Sequence, residues 1–70
     1  MLGRIVTAAV EVGSLAQEGE RGVVVRVIPS MFEERYVVRF NSGEEEFSPE
    51  LVDQYLVDTG LSMDDASKSL

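Results

Sequence analysis

The chain has 70 residues, 44% of them apolar, and a formal charge of -7 from thirteen Asp and Glu against six Lys and Arg. That size admits one domain, with a core that contributes only about 3–5 kcal/mol net. It contains no Cys and no His, which excludes disulfides, thiolate metal sites, the usual general base near neutral pH and the commonest metal ligand.

Residues 4–12 alternate. Val6, Ala8, Val10 and Val12 share one face, and Ile5, Thr7, Ala9 and Glu11 share the other. The period predicts a strand with its even face buried, and the two alanines leave a helix as the alternative. The opening ten residues are not expected to act as a signal peptide, because Thr7 interrupts the apolar run and Glu11 follows it without a cleavage region. Residues 13–22 carry Gly13, Gly19, Gly22 and scattered charges and read as a loop. Leu15 is expected to fold back onto the core, and Gly19 with Gly22 to make a tight turn into the next strand. The loop lacks the Gly-Lys-Ser/Thr ending of a phosphate-binding loop.

Residues 22–28, Gly-Val-Val-Val-Arg-Val-Ile, form the strongest predicted strand. Val23, Val25 and Val27 point one way, and Val24, Arg26 and Ile28 form the wetter face. Pro29 ends the strand because it cannot donate to a ladder. Ser30 to Glu34 make a loop with Met31 and Phe32 at its tip, as a lid over one barrel end or as an exposed contact.

Arg35 to Phe40 predict a third strand with Tyr36, Val38 and Phe40 inward and Arg35, Val37 and Arg39 outward. Asn41-Ser42-Gly43 is a hairpin connection, and Glu44 to Phe47 return as a short fourth strand. Phe47 belongs to the core, Glu45 lies near the rim, and Glu44 and Glu46 project outward within reach of Arg39 and Arg35. Each exposed pair of that kind is worth at most about 1 kcal/mol. Three successive glutamates also make the strand a poor template for edge pairing with another molecule.

Ser48-Pro49-Glu50-Leu51 is a helix start, with Ser48 as cap, Pro49 at the first helical position and Glu50 at the positive end of the dipole. Two continuations fit the pattern: a helix to about Asp58 ended by Thr59-Gly60, or one helical turn followed by a last strand, Gln54 to Val57. The expected domain is 1–60, with 61–70 as a flexible polar tail. Ser67-Lys68-Ser69-Leu70 has the wrong order for the peroxisomal address. No run reaches the roughly 18 apolar residues of a membrane span, and a cytoplasmic setting is the expectation.

The succession Gly22-Val23-Val24-Val25-Arg26-Val27, Tyr36-Val37-Val38-Arg39-Phe40, Asn41-Ser42-Gly43, Phe47 and the Glu50-Leu51 turn resembles an SH3-like small β-barrel, the group that includes KOW and Tudor-like modules. The resemblance covers residues 4–57. It implies a mainly β fold, a small SH3-like barrel of four or five antiparallel strands with one short C-terminal helix or helical turn. The familiar ligands do not follow. An aromatic cage for methylated side chains or a polyproline surface needs exposed aromatics, whereas the chain has no Trp and Tyr36, Phe40 and Phe47 serve as core. KOW modules are basic where they touch RNA, and this chain is acidic.

Catalysis by paired carboxylates needs a cleft that raises one pKa, and a barrel this small is expected to lack a pocket of roughly 300 Å³. A hard cation on Glu44 and Glu46 would want six to eight oxygens, in the ordinary coordination of about that number. Ser14, Ser30 and Ser48 have no His to activate them. The expectation is therefore no enzyme, no cofactor and no metal. The expected function is an acidic protein-binding module that docks on a basic protein surface. It would act as an accessory subunit or a small regulator or inhibitor, including a phage-type regulator of a nucleic-acid machine. The expected contacts are Met31, Phe32, Glu33, Glu34, Glu44 and Glu46. Two alternatives stand beside this: a nucleic-acid-binding barrel using Arg21, Arg26, Arg35 and Arg39, disfavoured by phosphate repulsion, and a structural oligomer pairing through the first strand or the helix.

Overall fold

Alternation becomes strand wherever a neighbour is there to pair with. A computed structural model describes residues 2–62, with β1 (Arg4–Ala8), β2 (Arg21–Ile28), β3 (Arg35–Phe40), β4 (Gly43–Phe47), α1 (Pro49–Tyr55) and β5 (Leu56–Ser62). All five strands join one antiparallel sheet in the order β4-β3-β2-β1-β5. β2, β3 and β4 form a meander, and β5 returns to lie beside β1. The result is a small β-barrel-like fold with one short helix, as the sequence leads one to expect.

The interior is small. Val6, Val24 and Val38 are fully buried, joined by Ala8, Ala16, Phe40, Phe47 and Leu56. Full burial of one Val or Phe side chain stabilises by about 1.5–3 kcal/mol, so each of these few residues carries a large share of the fold. β3 follows its predicted facing: Val38 and Phe40 are buried, Tyr36 packs on the core, and Arg39 is exposed.

β1 is shorter than the alternation predicts. Both neighbours run out at Ala8, since β5 begins with Leu56 opposite Ala8 and β2 begins with Arg21 opposite Thr7. The Ala9 amide instead donates to the Tyr55 carbonyl at 2.7 Å. Val10 is therefore exposed and Val12 only half-buried, although both share the periodicity of Val6 and Ala8.

β2 departs from strict period two. Val24 pairs with Val38, yet Arg26 pairs with Val37, so Val25 is an extra residue in a bulge. Before the bulge Gly22 and Val24 face inward; after it Val27 packs on the core and Arg26 lies outside. The expected common face of Val23, Val25 and Val27 is thus split, because a one-residue insertion exchanges the two faces.

The loop between β1 and β2 is folded rather than open. Val12 and Ala16 exchange backbone hydrogen bonds at 2.9 and 3.3 Å, which turns Leu15 back against the core as expected and buries Ala16. Glu20 donates its amide to the Gln17 carbonyl at 3.0 Å across a turn in which Gly19 has φ +85°. That position of the turn requires positive φ, which glycine alone adopts without steric cost. Gly22 has a different task. A Cβ there would lie 2.7 Å from Phe40 Cε1 and 2.9 Å from Cδ1, so only glycine lets the ring pack across β2.

α1 begins as the cap signature predicts, with Ser48 Oγ accepting from the Leu51 amide at 3.3 Å and Pro49 in the first turn. Of the two continuations, a short helix and then a strand is the one that forms. The strand starts at Leu56 and runs through Ser62, two residues beyond the domain boundary expected at residue 60. The remainder of the expected tail, 63–70, lies outside the described residues.

Candidate functional site

The β2–β3 connection places Met31 and Phe32 at its tip, 89% and 92% exposed. They cover no part of the barrel, so the lid reading is replaced by full exposure. Ser30 shapes the tip: the Glu33 amide donates to Ser30 Oγ at 3.1 Å, and Ser30 Oγ donates to the Glu33 carbonyl. Glu33 and Glu34 flank the two apolar side chains. The Tyr36 hydroxyl donates to Glu34 Oε2 at 3.2 Å, and Glu33 lies 3.7 Å from Arg35.

Glu44 and Glu46 stand on the outer face of β4, which is an edge strand of the sheet. Both have cationic partners across the ladder, as their spacing predicts. Arg39 donates from Nε and Nη2 to Glu44 Oε2 at 2.8 and 2.6 Å, and Arg35 Nε donates to Glu46 Oε1. These pairs are solvated and worth about 0.2–1 kcal/mol each. They nevertheless lower the net charge of the edge that the sequence presents as its acidic contact.

The same pairing bears on the arginine stripe. The register puts Arg21, Arg26, Arg35 and Arg39 on the outer face of β2 and β3. Arg35 and Arg39 are engaged by glutamates there, and Arg4 lies 3.5 Å from Asp58. Arg21 and Arg26 carry no ion pair among the described residues, and two separated cations make a short footprint for a phosphate backbone.

Glutamates that have no ion pair among the described residues gather elsewhere. Glu11 and Glu45 border an open groove of about 510 Å³ between the β1–β2 loop, β4 and α1. Its floor is apolar: Val12, Leu15, Phe47, Leu51 and Tyr55. A second groove of about 610 Å³ continues past Glu11 to Glu18, Glu20 and Ser42. In its wall Glu20 Oε1 accepts from the Gln17 amide at 3.4 Å, while Oε2 is covered and has no donor among the described residues. These volumes correct the expectation that the barrel leaves no room for a cleft. The space is an open surface groove among the β1–β2 loop, β4 and α1.

The Tyr36 phenol is held above its ordinary pKa of 10.0, first by partial burial, then by its hydrogen bond to Glu34 and by that carboxylate's charge. Among the described residues no three metal-ligating side chains converge. The sequence pointed to the tip and the β4 glutamates and not to Glu11 or the groove. The folded β1–β2 loop that builds it depends on the Val12–Ala16 bridge, which no periodicity announces. No family model matches the chain, and no curated protein or solved structure is significantly similar to it.

Proposed function

We propose that the chain is a non-enzymatic protein-binding module. It inserts Met31 and Phe32 into an apolar pocket of a protein partner whose surround is basic, as an accessory subunit or small regulator. The observation that carries this reading is the near-complete exposure of two adjacent large apolar side chains. Single exposed apolar residues are ordinary, but a contiguous pair on a shaped turn is the composition of an interface anchor. Burying each in a partner would contribute about 1.5–3 kcal/mol. The Ser30 hydrogen bonds hold the turn in advance, which lowers the cost of ordering it on binding. Glu33 and Glu34 beside the pair, within a net charge of -7, favour a basic surround and would speed association at low salt. The chain has neither His, the commonest general base, nor a Cys nucleophile, which disfavours a catalytic reading.

The test is affinity capture from the native host with the full chain, run in parallel with a Met31→Ser/Phe32→Ser chain. Proteins retained by the wild type and lost by the variant, with retention that falls as salt rises, are the expected result. Identical retention by both chains overturns the assignment of the tip.

A further inference from the structure

The groove between the β1–β2 loop, β4 and α1 is separate from the tip, since none of its lining residues belongs to 30–34. Three features define what it would accept. Its floor of Val12, Leu15, Phe47, Leu51 and Tyr55 is apolar, and four of these five are only half-buried, so part of each side chain still faces water. Its rim carries Glu11 and Glu45, neither of which has an ion pair among the described residues.

The third feature is direction. Glu45, Glu46 and Phe47 are consecutive strand residues whose side chains alternate between faces, and all three line the groove. A cleft bordered by both faces of a strand runs along that strand's edge. β4 is the last strand on its side of the sheet, and no backbone hydrogen bond from another element reaches its outer edge among the described residues. An acidic, apolar-floored cleft along an open strand edge fits an extended segment that pairs with the edge through its backbone.

We infer that this groove is a second docking face, for an extended segment of a protein partner in which apolar residues and Lys or Arg take turns at every second position, so that both point to the face that Phe47 and Glu45 share. The apolar side chains seat on Leu15, Leu51 and Tyr55, and the cationic ones meet Glu11 and Glu45. Charge complementarity selects this occupant: an acidic segment would be repelled by the rim, and a purely cationic one would leave the floor wet. The three glutamates of β4 then have a selective effect, discouraging a second β4 edge, which carries the same charges, and admitting a basic strand.

The probe is a capped heptapeptide with valine and lysine taking turns at its odd positions and serine between them, titrated into the isotopically labelled full chain and followed by amide chemical shifts. Shifts concentrated in residues 11–15, 45–47 and 51–55 are expected. They should be weaker at high salt and absent when glutamate replaces lysine (the glutamate–valine peptide) or serine replaces valine. A Glu11→Gln/Glu45→Gln chain should bind about fivefold more weakly, in line with exposed ion pairs. The Met31→Ser/Phe32→Ser chain should bind the peptide as the wild type does, so failure here and failure of the tip assignment are told apart. The inference is overturned by no shifts at millimolar peptide, by equal binding of the glutamate–valine peptide, or by shifts centred on residues 30–34. It is equally overturned if the groove amides shift on dilution of the chain alone, which would mean that a second copy covers them.

Discussion

Gly22→Ala adds a single methyl group where β2 passes Phe40, and the outcome follows from one contact. The new Cβ would sit 2.7, 2.9 and 3.0 Å from three ring carbons of Phe40, all well inside van der Waals separation. The ring cannot swing away into solvent, since Phe40 is only 3% exposed within the core. Overpacking of this kind costs about 1–3 kcal/mol. Restricting the unfolded chain by replacing glycine returns about 0.4–1 kcal/mol. The net expectation is a loss of about 1–2 kcal/mol, a large part of the roughly 3–5 kcal/mol that so small a core supplies. At about 4–8 °C per kcal/mol for a domain of this size, the melting temperature should fall by about 5–15 °C. Urea unfolding monitored by circular dichroism gives the value. The same substitution in a Phe40→Leu background should cost measurably less, because the shorter side chain vacates the contact. A Gly22→Ala chain with the parent midpoint, or an equal cost in both backgrounds, would refute the packing described for β2 and β3.

Ser48→Ala removes the acceptor for the Leu51 amide and should lower stability by about 1 kcal/mol; an unchanged urea midpoint contradicts a capping role. Tyr36, in a Tyr55→Phe background, should release its proton above 10.0 in an ultraviolet titration, and Glu34→Gln should bring that midpoint down. Because the folded state holds this proton more tightly than the unfolded chain, the stabilisation is complete below the unfolded value. It is lost as pH climbs through the folded one; a Tyr36 midpoint at or below 10.0 would overturn the assigned environment. With Arg35 and Arg39 engaged by glutamates, the chain should show no affinity for single- or double-stranded oligonucleotides at about 50 mM salt. Salt-sensitive binding there would restore the arginine stripe as a site.

The sheet was legible because its inward residues are few and alternate cleanly. Tyr36, Val38 and Phe40 announce β3; the hairpin register sets Glu44 opposite Arg39, and Glu46, opposite Val37, reaches Arg35 on the diagonal. Ser48-Pro49 fixed where α1 begins. The misread elements have local causes that periodicity does not encode. The bulge at Val25 shifts the two faces of β2 against each other. The end of β1 is set by where Arg21 and Leu56 enter the sheet, which is information from distant parts of the chain. For the candidate contacts, Met31 and Phe32 stood out as large apolar residues between Pro29 and two glutamates, while their exposure required the fold. The groove was hidden because its floor draws on three separate segments, none of them unusual by itself.

The assignment of the tip rests on Met31 and Phe32 having no role inside their own molecule. Equilibrium urea unfolding of the Met31→Ser/Phe32→Ser chain measures that role directly. The wild-type free energy should be retained within about 0.5 kcal/mol, as for surface positions. A loss of about 2 kcal/mol or more, the cost of emptying a core site, would mean that the pair closes the barrel, and the tip would cease to be a contact.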